Sequence, residues 1–229
     1  MKDTEIDEML DKAAHVPHAV PAALLKRVAD SIEPSLRPVR PLAPTWVLTL
    51  AVVLIGATVA VIGAARAGFD GVEALSVPAR LLIFGALALF AGVAAAQVVR
   101  AWIPGSRHVP SGAILAASSV ALLAVFALLF HDYHTDDFLS AGLTCLVMGL
   151  LHALAAALLI WWLLRRGYVV NSVSAGLIAG TFGGLAGLTM LELHCPNFEA
   201  LHVLVWHTLV VPVSAALGAL AGWVLRRRT

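Results

Sequence analysis

The sequence predicts an all-α membrane protein: a polytopic six-helix transmembrane bundle with a short helical cytoplasmic N-terminal tail. Three observations predict it. Of the 229 residues, 60% are apolar and only 13% charged, against roughly 45–50% and roughly 25% in soluble domains. The mean hydropathy is +0.91, a value that leaves most of the chain facing lipid or other apolar helices. The apolar residues are also gathered into runs of about 20, the length that crosses a bilayer as a helix. A net charge of +1, from 15 basic and 14 acidic residues, supplies no basic face for direct nucleic-acid binding.

Seven of the 14 acidic residues precede residue 34, in the only long polar stretch. Thr4 caps a first short helix with Asp7 three residues on, and Ile6, Met9 and Leu10 share one face. Pro17 breaks it. A second helix starts at Pro21, since proline suits the first helical position, and gathers Leu24, Val28 and Ile32 opposite Lys26, Arg27 and Asp30. Pieces this short are marginal alone in water, so the two stripes read as anchors for a partner protein. Pro34, Pro38, Pro41 and Pro44 then make an extended spacer. The expected domains are a partner-binding tail (1–33), a spacer (34–45) and a membrane domain (46–229).

Six segments qualify as spans: 46–65, 79–99, 111–130, 139–164, 173–191 and 201–225. The first has too long an apolar core, behind too long an acidic tail, for a cleaved signal peptide. With the N-terminus in the cytoplasm, 13 of the 15 basic residues fall on that side and only Arg66 and Arg80 on the other. The positive-inside rule therefore places both termini in the cytoplasm. Gly176, Gly180, Gly184 and Gly187 in span five, with Gly218 and Gly222 in span six, read as close helix packing. Trp46, Trp161 and Trp162 read as interface anchors against lipid.

This topology gathers the unusual residues on the outer face. One loop runs from His131 to Asp137 and includes His134; another runs from Glu192 to His202 and includes His194, Cys195 and Glu199. Cys145 lies about two turns into span four, at the same depth as Cys195. An oxidising compartment would allow a bridge between the two. If Pro196 is the first residue of span six, Cys195 is its N-cap, where the helix dipole favours a thiolate. Glu199, His202 and Trp206 then follow on one helical stripe. Thiolate with imidazole suits a soft ion such as zinc, copper or cadmium, with His131, His134, His194, Glu199, His202 and His207 as candidate ligands. His152, mid-span in helix four and seven residues after Cys145, and His207 read equally as partners in a hydrogen bond between helices and as ligands. No nucleotide-binding glycine loop and no nucleophile with a spaced base is present, so the chain is read as a non-enzyme.

An amphipathic tail, a proline-bearing spacer, six spans, Cys145 near the start of span four, and His194-Cys195-Pro196 followed by Glu199, Trp206 and span six resemble the NrsF-type anti-sigma factors of bacteria. The resemblance covers most of the chain, and its specific part is Cys145 with the Cys195-Pro196 element. It implies a tail that holds an extracytoplasmic-function sigma factor inactive, and a periplasmic metal or redox stress, sensed by Cys145 and Cys195, that releases it. The chain departs from the pattern in its extra histidines, with His207 where a tyrosine is expected after Trp206. The alternative reading is a metal-handling membrane protein, a small transporter or membrane enzyme using the outer His, Cys and Asp residues.

Overall fold

A computed structural model describes residues 11–12, 21–33, 42–103, 111–133, 137–164, 167, 169 and 171–227, and every regular element among them is helical. The chain divides into two units, residues 1–42 and 43–229. In the first, α1 (Ala22–Ile32) begins one residue after Pro21, whose carbonyl accepts from the Leu24 and Leu25 amides. Leu24, Val28 and Ile32 are 46–48% exposed, so the expected stripe stands on the surface of its own unit. Ile6, Met9 and Leu10, most of the proline spacer and His134 lie outside the described residues.

The second unit contains α2 (Thr45–Ala67), the short α3 (Asp70–Ala74), α4 (Val77–Trp102), α5 (Ser111–Leu129), α6 (Phe138–Leu164) and α7 (Ser172–His194), then a π-helical segment (His202–His207) running directly into α8 (Thr208–Arg226). Five stretches are long and apolar enough to cross a membrane: α2, α4, α6, α7 and the continuous helix His202–Arg226. They coincide with five of the expected spans. A helix also forms at the expected third span, α5, but it is not one of those five. Apolar side chains such as Leu81, Leu89, Leu128 and Leu139 are 63–73% exposed, a surface suited to lipid and costly in water.

α7 is the central helix. It is the least hydropathic of the five, at 1.4, yet 67% of its most apolar 18-residue stretch is buried, against 22–39% in the others. Its small residues explain both facts, because they let neighbouring backbones approach instead of meeting lipid. A Cβ on Gly176 would collide with the Gly218 carbonyl, and one on Gly180 with the Ser214 carbonyl. Large side chains close the remaining gaps; Phe182, Leu188, Ile83, Leu87 and Phe126 are fully buried.

Loop contacts fix which helix ends lie together. α2 stops at Gly68, whose φ of +112° suits glycine, and the His194 Nδ1 lies 3.3 Å from the Gly68 carbonyl. α3 then crosses the end of α7 so closely that a Cβ on Gly71 would sit 2.7 Å from the Cys195 carbonyl. The stretch after α5 joins the same face, since the Ala200 amide donates to the Asp132 carbonyl and Phe130 stacks on Phe198. At the opposite end Gly222 meets Ser172 and Gly167 meets Trp102. The outer loops of the expected topology thus share one face of the bundle.

Candidate metal centre

Cys145 projects from α6 and Cys195 closes α7. Their sulfurs are 3.7 Å apart and both thiols are free; a disulfide would need about 2.05 Å. The expected N-cap position of Cys195 is corrected by the structure. Proline disfavours helical backbone in the residue before it, and Cys195 accordingly turns extended, at φ −79° and ψ 117°, as the C-cap of α7. Residues 195–199 are non-helical, with the Asn197 Oδ1 accepting from the Glu199 amide in a local turn. The last membrane helix starts after them. A helix C-terminus does not favour a thiolate, and contact with the Cys145 thiol, then burial, push the Cys195 thiol above its ordinary value, against a smaller opposing pull from His202 and His207. Cys195 is therefore a protonated, buried thiol in the metal-free chain rather than an activated nucleophile.

The expected stripe of Glu199, His202 and Trp206 is corrected as well. In an α-helix, residues five apart are rotated by about 140°, so His202 and His207 would point to different neighbours. Over His202–His207 the helix is wound as a π-helix, whose five-residue hydrogen bonds bring i and i+5 towards one face. The Thr208 amide donates back to the Val203 carbonyl, and the Thr208 hydroxyl covers the Leu204 carbonyl at 2.5 Å. The two imidazoles now meet edge to face, with centroids 5.0 Å apart. His202 Nε2 lies 3.6 Å from the Cys195 sulfur. His207 Nδ1 lies 2.7 Å from Glu192 Oε1, both side chains being fully buried. That leaves His207 Nε2, which has no hydrogen-bond partner.

Cys145, Cys195, His202 and His207 each offer one donor atom, all within 4.8 Å of one another. Two sulfurs bound to one zinc at the tetrahedral angle would lie about 3.8 Å apart, and a sulfur and a nitrogen about 3.5 Å apart. The observed 3.7 Å and 3.6 Å match those edges. A sulfur-and-imidazole donor set of this kind selects zinc and other soft ions over hard ones. Glu192 completes the arrangement, because a carboxylate on the far nitrogen of a ligand histidine fixes its tautomer and orientation. The residues present thus fit a soft divalent ion.

The remaining candidates are placed elsewhere. His131 is exposed, His194 faces Gly68, and Glu199 is half-buried just before the last helix without joining the four donors. The Trp206 indole packs on Phe138, with centroids 5.3 Å apart, and fills the space a side chain at Gly142 would need. His152 donates from Nδ1 to the Met148 carbonyl one turn back, at 2.8 Å, and its other edge faces Gly63. Sequence reasoning missed Glu192 as a partner of His207. The signal was available: a carboxylate closing an apolar span is costly in a membrane and calls for a named partner.

No curated protein and no solved structure matches the chain. A family model does, over residues 34–227, and its description is negative regulator of sigma F. With the match running from the spacer through the last membrane helix, the chain belongs to the NrsF family of negative regulators of sigma factors.

Proposed function

We propose that the chain is an inner-membrane anti-sigma factor whose Cys145, Cys195, His202 and His207 cluster takes up a soft divalent metal ion, and that this uptake releases an extracytoplasmic-function sigma factor held by the tail. The observation that carries the reading is the set of four donors within 4.8 Å of one another, three of them buried and one oriented by Glu192. Family membership supplies the sigma factor as partner. The partner-binding surface is assigned to Leu24, Val28 and Ile32 of α1 together with Ile6, Met9 and Leu10, as amphipathic helices bind grooves through such anchors. In this reading both termini are cytoplasmic, α5 provides the third crossing, and the cluster faces the periplasm.

The ion displaces the two thiol protons and is held by two sulfurs and two imidazole nitrogens. Its ligands come from α6, the end of α7 and the π-helical start of the last helix, so binding draws these three elements together. α2 follows α7 through Phe182, which packs on Gly56, and α2 begins at the opposite end of the bundle, where the tail joins. Coupling needs a differential affinity of only about 1–3 kcal/mol between two arrangements. A sigma-dependent reporter in cells carrying the full chain tests the whole proposal. Cadmium or zinc should induce it in the wild type, Cys145→Ser or Cys195→Ser should abolish the response, and removal of residues 1–33 should make expression constitutive. Continued repression without the tail would refute the tail assignment, and a full metal response in the cysteine variants would refute the sensor.

A further inference from the structure

The gap between α6 and the last membrane helix is set by side chains seated on glycines. On α6, Cys145 stands between Gly142 and Gly149, and the heptad spacing of the two glycines puts all three on one face. On the facing helix, His207 stands between Trp206 and Val210. The Trp206 indole occupies Gly142, where a Cβ would fall among its Nε1, Cε2 and Cδ1 atoms. A Cβ on Gly149 would sit 2.6 Å from Val210 Cγ2, and one on Gly187 of α7 would collide with the Gly149 carbonyl. Gly149 is therefore pinned to α7 by main chain, whereas Gly142 is held off the last helix by one side chain.

That side chain is a wedge. Trp206 is only 8% exposed, and its ring is backed by Phe138, one turn before Gly142 on α6. Its Nε1 has no hydrogen-bond partner, so shape rather than a polar bond holds the indole in place. Extra bulk at Gly142 would tilt α6 about the pinned Gly149 and carry Cys145, which lies between the two glycines, away from the last helix. The Cys145 sulfur reaches across this same gap to the donor nitrogens of His202 and His207, within 4.8 Å. Distances between donors decide which ion a tetrahedral site suits. Zinc bonds sulfur at about 2.3 Å and nitrogen at about 2.0 Å, and the larger cadmium ion bonds both at greater length, so a wider set of donors favours cadmium.

We propose that Trp206 seated on Gly142 is the spacer that sets how closely Cys145 approaches the two histidines, and with it how strongly the cluster prefers zinc over cadmium. Neither residue touches the ion; both are positioning residues. The inference deepens the metal reading of the cluster and rests on it.

The test is isothermal titration of the purified full chain with zinc and, separately, with cadmium, read as the ratio of the two affinities. Gly142→Ala should weaken zinc binding about tenfold more than cadmium binding, the lower end of what changes just outside a donor set cost. Combining Gly142→Ala with Trp206→Phe, whose smaller ring makes room for the new methyl group, should return the ratio to within about twofold of the wild type, since residues in contact compensate one another. Trp206→Phe alone loses no hydrogen bond and should move the ratio towards zinc. Equal losses of both ions in Gly142→Ala, or a ratio that the double variant does not restore, would overturn the proposal. If Gly142→Ala fails to accumulate, Trp206→Phe decides, and an unchanged or cadmium-shifted ratio there would overturn it. A wild-type chain that binds neither ion would overturn the metal reading and the spacer together; one that binds both, with the same ratio in every variant, would overturn the spacer alone.

Discussion

The last two membrane helices meet in two different ways along their length. Where Gly176 faces Gly218 and Gly180 faces the Ser214 backbone, main chain touches main chain and no side chain can rearrange. At the other end the helices are separated by side chains that carry chemistry: Glu192 reaching His207, and Cys195 beside His202. Close-packed backbone transmits force because it has one arrangement, whereas a cluster of donors spaced within 4.8 Å has room to contract around an ion. In the proposed function, sensing belongs to the cysteine end and transmission to the glycine end.

The largest effect should come from the glycine end. Gly180→Leu places a side chain where the Ser214 carbonyl stands, and overpacking with no flexible neighbour to yield exceeds the usual cost of about 1–3 kcal/mol. The variant should fail to accumulate as a folded, monodisperse membrane protein, while His202→Ala accumulates normally. Equal accumulation of both would erase the distinction between the two ends.

Next come the ligands themselves. Cys145→Ser and Cys195→Ser should each lower cadmium affinity by more than about a hundredfold, and the double variant should be no worse than either alone, since removing one partner already destroys the pair. Isothermal titration of the purified full chain measures all three. Additive losses would mean that the two cysteines act separately. Glu192→Gln sharpens the comparison from just outside the donor set. It keeps the size of the side chain and removes its charge, and it should cost about 10–100-fold in affinity, the range for a lost outer-shell partner of a ligand histidine.

The Cys195 thiol, held above its ordinary value by Cys145 and by burial, gives a pH dependence with a definite sign. The folded chain favours the protonated thiol. Its contribution to stability is therefore complete below the unfolded value of about 8.5 and disappears as pH rises through the higher folded value. Alkylation of Cys195 in the metal-free protein should accordingly be slower than that of a free cysteine at neutral pH. Metal uptake, which needs the thiolates, should strengthen as pH rises. The smallest effects belong to His131→Ala, His194→Ala and Glu199→Ala, none of which is among the four donors. Each should change cadmium affinity by less than about twofold in the same titration.

Much of the fold was legible because hydropathy marks a membrane helix strongly: α2, α4, α6, α7 and the last helix stand where the apolar runs placed them. The pairing of Cys145 with Cys195 was legible too, from topology alone, since counting spans put both at one face. What failed was local geometry. Pro196 was read as opening a helix, but the restriction a proline places on the residue before it ended α7 at Cys195 instead. An α-helical period was applied to residues 195–206, and it grouped His202 with Glu199 and Trp206. The π-helical turn groups His202 with His207, and no residue pattern in the sequence announces that winding. Glu192 was overlooked because it was read as the first residue of a loop rather than as a buried carboxylate. The tail differs again: the family match begins at residue 34, so the stripe of Leu24, Val28 and Ile32 rests on its own amphipathic pattern and its exposure.

The most direct test of the metal centre is X-ray absorption at the zinc edge on the full chain loaded with one equivalent of zinc. Two sulfur neighbours at about 2.3 Å and two nitrogen neighbours at about 2.0 Å are expected, with the sulfur shell reduced to one in Cys145→Ser and imidazole scattering reduced in His207→Ala. A shell made only of oxygen and nitrogen, or two sulfurs persisting in Cys145→Ser, would contradict the metal centre.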